Sequence, residues 1–157
     1  MKRLTYFDDF SDIGWPSTSE LAPYFLTAEG RRQFFALGND SWGLDAEGAD
    51  GTDRLQANHG RIDIHLNIIG HPEFGIFLNY RKWGGTQKHT YYSKGELSRL
   101  RELVDTVHGD RIPLGLYIPF DTAWKAIKEF IETDGRLPTS IAWIAGKELP
   151  ADAFPPP

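Results

Sequence analysis

The side chains best suited to moving a proton or holding a metal near neutral pH are the five histidines, His59, His65, His71, His89 and His108. None stands four residues from another, and there is no His-Glu-x-x-His run of the kind that binds zinc on a helix. One histidine has a partner at strand spacing. Asp63-Ile64-His65 places a carboxylate and an imidazole on the same face of an extended chain. Such a pair suits an acid–base couple or half of a metal site, and equally a polar pair on the solvent side of a hairpin. The segment Asp45-Ala46-Glu47-Gly48-Ala49-Asp50-Gly51-Thr52-Asp53 is acidic and glycine-rich, but it lacks the ligand order and closing glutamate of a calcium loop. Gly84-Gly85-Thr86 is too short to cradle a phosphate, and no nucleophile elbow, P-loop or dinucleotide fingerprint occurs. With no cysteine, disulfides and thiolate chemistry are excluded. The expectation is a chain that is not an enzyme and needs no metal or other cofactor.

Charge points instead to a partner. The net charge is −5, and all of it arises in residues 1–60, where ten acids face five bases; residues 61–157 balance. An acidic chain without a basic stripe is poorly matched to phosphate, so direct nucleic-acid binding is not expected. Acidic surface suits a basic protein partner, and it also serves solubility. No apolar run approaches the roughly 18 residues of a membrane span, and Asp8, Asp9 and Asp12 interrupt any secretory leader. A cytoplasmic location with no membrane contact is therefore expected. The chain is rich in aromatics, with five Trp, six Tyr and ten Phe, enough to build a core at this length.

The elements that would position these groups follow from periodicity. Leu4–Phe10 reads as a short edge strand, and Trp15–Ser19 breaks regular structure. Thr27–Leu37 reads as a helix capped by Thr27, weakened by Gly30. Gly38–Gly60 is expected to be largely irregular, with a strand at most around Trp42–Leu44. Arg61–Ile68 alternates strictly, with Ile62, Ile64, Leu66 and Ile68 turned to the core. Gly70–Glu73 is a turn, and Phe74–Lys82 returns with Ile76, Leu78 and Tyr80 on one face. Lys88–Ser93 makes a third strand. Leu97, Leu100, Leu103, Val104 and Val107 fall at helical spacing and predict a helix over Leu97–Val107. Leu114–Ile118 reads as a strand. Pro119 then opens a helix whose stripe is Phe120, Ala123, Trp124, Ile127, Phe130 and Ile131, ended by Asp134-Gly135. Ser140–Ala145 is a last strand. Consecutive hairpins and segregated helices give an α+β fold, an antiparallel meander packed against two or three helices. Residues 1–150 form one domain, and 151–157 a flexible proline-rich tail.

The last third carries a family pattern. Ile118-Pro119-Phe120-Asp121-Thr122-Ala123 opens a helix that continues through Ala126-Ile127-Lys128-Glu129-Phe130. Thr133-Asp134-Gly135-Arg136-Leu137-Pro138 and Ile141-Ala142-Trp143 follow. This resembles the signature of the Imm1 family of bacterial immunity proteins, and the hairpin Ile62–Ile68 with Phe74–Tyr80 resembles the family's central sheet. The resemblance implies a protein that binds and neutralises a cognate toxin made by the same bacterium. Similar members are associated with nucleic-acid deaminase toxins. It brings no catalytic residue. The surface expected to meet the toxin joins the acidic segment, Asp40, Trp42, Asp45, Glu47, Asp50 and Asp53, to Trp83, Lys88, His89, Tyr91 and Tyr92. Two alternatives stay open: a small-molecule enzyme working from an Asp63/His65 face, and an adaptor domain without a toxin partner.

Overall fold

A computed structural model describes residues 1–7, 9–10 and 14–156. The N-terminal acids Asp8 and Asp12, counted above, lie outside the described residues, as does Pro157 of the tail. The chain forms an antiparallel sheet with helices on one side. Its strands are β1 (Lys2–Tyr6), β2 (Ser41–Ala49), β3 (Ile62–His71), β4 (Gly75–Gly84), β5 (Gln87–Ser93), β8 (Tyr117–Ile118) and β9 (Trp143–Ala145). They lie in the order β1-β2-β3-β4-β5-β9, with β8 beside the first residues of β4. A separate two-stranded ribbon joins β6 (Leu103–Asp105) to β7 (Arg111–Pro113). The helices are α1 (Thr18–Leu26), α2 (Ala28–Phe34) and α3 (Phe120–Glu132). None of them is long and apolar enough to cross a membrane.

The expected α+β architecture is the one observed, and its centre is the alternating hairpin. Along β3 every second residue is buried, with Ile62, Ile64, Leu66 and Ile68 under the helices and Asp63, His65, Asn67 and Ile69 on the other face. Registry across β4 sets Leu66 opposite Tyr80 and Ile68 opposite Leu78, so the two strands share one core face. The stripe of α3 closes that core with Phe120, Ala123, Trp124, Ile127 and Phe130. Where β5 leaves off beside β4, the fully buried Ser93 fills the junction. Its Oγ accepts from the Leu78 N–H (2.9 Å) and donates to the Leu116 carbonyl (2.7 Å).

Several expectations are corrected. The segment read as irregular contains β2, a nine-residue strand paired on both edges, with β1 and with β3. Its sequence, SWGLDAEGA, is poor in β-branched residues; pairing on both sides supplies what propensity does not. Gly48 ends the regular register in a bulge at φ 80°, where a Cβ would fall 2.5 Å from the Asp53 Cα. The helix expected over Leu97–Val107 is absent. Leu97–Arg99 is a 3₁₀ turn, and Leu103–Asp105 is β6. The apolar spacing at Leu97 and Leu100 is real, and both pack on a second cluster around Phe77, Leu116 and Tyr117, but Leu103 and Val107 are exposed. The strand expected over Leu114–Ile118 is a 3₁₀ turn followed by the two residues of β8, and the last strand is only Trp143–Ala145.

At the N-terminal side, β1 is shorter than the expected Leu4–Phe10, and α1 was not expected at all. Its signal is a capping box: the Ser17 Oγ accepts from the Glu20 N–H while Glu20 reaches back to the Ser17 N–H. Thr27 caps α2 as expected, its Oγ1 accepting from the Gly30 N–H at 2.9 Å. Gly30 is explained by the α1–α2 corner, since a Cβ there would lie 1.8 Å from the Pro23 carbonyl oxygen. The C-terminal stretch expected to be loose carries contacts, with Ala153 buried and the Phe154 ring 5.0 Å from that of Tyr92.

Candidate functional site

The two faces of the sheet differ. One is covered by all three helices. The other is covered at one end by the segment 97–117, which packs on Phe77, Tyr92 and Ile144. Its remaining area carries no helix among the described residues, and the registers place its side chains in rows. One row reads Lys2, Glu47, Asp63, Trp83, Lys88 across β1 to β5. The next reads Leu4, Asp45, His65, Arg81, Thr90, and a third begins Tyr6, Gly43, Asn67, Asn79. Carboxylates thus sit on β2 and β3, and the cations Arg81 and Lys88 on β4 and β5.

Most of the charges on this face are paired with one another. His65 Nδ1 lies 3.0 Å from Asp45 Oδ2, a cross-strand pair at directly opposed positions. Asp63 accepts two hydrogen bonds from Arg61, at 2.8 and 2.9 Å, and one from the Gly48 N–H at 3.1 Å, which also fastens the bulge. Glu47 stands 3.6 Å from the same Arg61. Trp83 is 40% exposed, with the Arg81 guanidinium 4.9 Å and the Lys88 ammonium 5.9 Å from its ring centroid. A hollow of about 400 Å³ opens on the face between Tyr6, Asp45, His65, Asn67 and Arg81. A larger hollow, about 720 Å³, lies elsewhere, between α2, the β3–β4 turn and the start of α3, and holds none of the expected residues.

The structure distributes the expected site residues as follows. Asp45, Glu47, Trp83 and Lys88 share the bare face, together with Asp63 and His65. Asp53 is exposed beside it in the β2–β3 connection; Asp50 is exposed in the same connection but turns to the helix side, where it meets Lys82 at 2.9 Å, a contact that holds its carboxyl below the usual range. Asp40 and Trp42 are not on a surface. Asp40 is buried and accepts from the Val107 N–H (2.8 Å) and the Ser41 hydroxyl (2.9 Å). Trp42 is buried against Phe7, with ring centroids 4.8 Å apart. His89 and Tyr91 point to the helix side, where Tyr91 packs near Tyr80. Tyr92 points to the other side, but under the covering segment. The carboxylate–imidazole pair that forms is Asp45–His65 rather than Asp63–His65, because Arg61 holds Asp63. Arg81 and Tyr6 were missed. Arg81 was legible, since alternation along Asn79-Tyr80-Arg81-Lys82-Trp83 puts it on the face of Trp83.

The quoted C-terminal pattern has a physical role in the fold. Asp134, at φ 55°, takes the left-handed position after α3, and the Gly135 N–H returns to the Phe130 carbonyl at 2.8 Å. Glu129 accepts from the N–H groups of Thr139 (2.6 Å) and Ser140 (3.0 Å), which holds its carboxyl below the usual range. The Tyr80 hydroxyl donates to the Gly135 carbonyl, and the Trp143 indole N–H to that of Pro138. These bonds tie the loop after α3 to the sheet.

A family model described as immunity protein Imm1 matches residues 35–145, more than half of the chain. No curated protein and no solved structure matches it.

Proposed function

The chain belongs to the Imm1 family of immunity proteins, and from that premise we propose that it binds a cognate toxin protein through the bare half of its sheet. The observation that carries this reading is the face itself. Among the described residues one half of the sheet has no covering element, yet it presents ordered polar pairs and an exposed Trp83 gripped by two cations. Aromatic and arginine side chains held rigid at the centre of a patch are what a tight protein interface uses as anchors. Glu47 and Asp53 form its acidic border, with Asp45 and Asp63 behind them.

The toxin we propose is a nucleic-acid deaminase, in keeping with the family resemblance. A toxin acting on nucleic acid needs a cationic substrate groove. A chain of net charge −5 is drawn to such a groove and occupies it at the expense of the substrate. The role is binding, not catalysis. Co-expression with the toxin domain encoded beside this gene, followed by an assay of deamination on single-stranded DNA, tests it. A stable complex with suppressed deamination is expected. A folded toxin that neither binds this chain nor loses activity overturns the proposal.

A further inference from the structure

We infer that Arg81 receives a carboxylate of the toxin, an Asp or Glu side chain inserted into the hollow beside it. The inference rests on the toxin-binding reading and names the chemistry of its anchor. The other carboxylates and cations around Arg81 are largely committed to each other. Asp45 is taken by His65 at 3.0 Å, Asp63 by Arg61 at 2.8 Å, and Glu47 lies 3.6 Å from the same Arg61. Lys82, the next residue, turns to the other face and meets Asp50 at 2.9 Å. Arg81 has no carboxylate within ion-pair distance among the described residues, and its Nε is buried without a hydrogen-bond partner. The Oδ1 of Asn79, two residues away on the same face, is likewise unpartnered.

Arg81 is half-buried, and its unpartnered Nε raises the cost of leaving the group without an acceptor. The guanidinium is already oriented by stacking on Trp83 at 4.9 Å, so little freedom is lost when an acceptor arrives. The hollow of about 400 Å³ has room for one side chain, and Asn67 and Tyr6 at its wall offer neutral polar groups. A guanidinium fork matches a planar carboxylate with two parallel hydrogen bonds. The acids Asp45, Glu47 and Asp63 in the adjoining positions oppose a polyphosphate backbone, which would bring several charges where one is accommodated. A single protein carboxylate is the occupant these charges favour.

The test uses the intact chain and the purified toxin domain from the neighbouring reading frame. Arg81→Gln is expected to weaken the dissociation constant by about 30-fold or more, mostly through faster release. Arg81→Lys is expected to recover only part of it, since an ammonium lacks the fork. Neutralising the toxin's interface Asp and Glu residues one at a time, against the unchanged chain, should find one whose loss matches that of Arg81→Gln and does not add to it. Unchanged affinity of Arg81→Gln, or no coupled toxin carboxylate, overturns the inference while leaving toxin binding intact. Tight binding of a single-stranded oligonucleotide that disappears with Arg81→Gln overturns it in favour of a phosphate site. A wild-type chain that forms no complex removes the toxin reading itself and this inference with it.

Discussion

Asp45 on β2 and His65 on β3 face each other at directly opposed register positions, with Oδ2 and Nδ1 3.0 Å apart. The pair lies at the heart of the bare sheet face, and it divides the acids of this region into two kinds. Asp45 is nearly buried and belongs to the sheet, whereas Glu47 and Asp53 keep more contact with water. Asp45→Lys would place an ammonium beside Arg81 and take away the carboxylate that His65 contacts. A stability loss of about 1–3 kcal/mol is expected, read from urea midpoints, with about 1 kcal/mol for Asp45→Asn. Glu47→Lys with Asp53→Lys should leave the midpoint nearly unchanged and slow association with the toxin about tenfold at low salt. An association rate insensitive to that double change would show that the acidic border steers nothing.

Asp40 acts through the fold. Asp40→Ala strands the Val107 N–H and removes the acceptor of the Ser41 hydroxyl, at a cost of about 1–3 kcal/mol. Thermal unfolding should register that loss, while the affinity of the folded variant for the toxin stays at the wild-type value. Weaker binding with unchanged stability would place Asp40 in the interface after all.

Trp83 should behave in the opposite way. Its ring is 40% exposed and covers no core. Trp83→Ala is expected to shift the unfolding midpoint little and to weaken the complex by about 2 kcal/mol, roughly 30-fold. Titration calorimetry beside thermal unfolding separates the two effects.

The tyrosines set the alkaline limit of stability. Burial, with Asp9 nearby, pushes the Tyr24 phenol up to about 12, and burial raises Tyr80 and Tyr117 as well. The unfolded chain ionises its tyrosines at about 10, so it loses protons before the folded chain does. Stability from these groups is therefore whole below about pH 10 and falls as the pH rises beyond it. Urea midpoints taken alongside tyrosinate absorbance should show that decline. Tyr80→Phe should be less stable at neutral pH, having lost its 2.8 Å bond to the Gly135 carbonyl, yet decline less steeply in alkali.

The sequence made some of this legible and hid the rest for identifiable reasons. The β3–β4 hairpin and α3 were readable because one face of each is buried, so hydrophobic period and structure coincide. β2 was hidden because Gly43, Gly48 and the two acids Asp45 and Glu47 replace the usual strand residues; only its neighbours make it a strand. The spacing of Leu97 and Leu100 misled because a 3₁₀ turn also brings positions three apart to one side. Of the candidate surface, Trp83 and Lys88 could be placed from alternation. The burial of Asp40 and Trp42 could not, since it depends on the distant partners Val107 and Phe7. The exchange of Asp63 for Asp45 as the partner of His65 likewise required the β2–β3 register.

The most direct test of the central claim is the affinity of the purified chain for its cognate toxin domain, measured for wild type and for Trp83→Ala combined with Glu47→Lys. Tight binding by the wild type, with suppressed toxin activity, and loss of both in the folded double variant is the predicted result. Equal binding and protection by the two proteins would contradict the account and move the interface to the helical side.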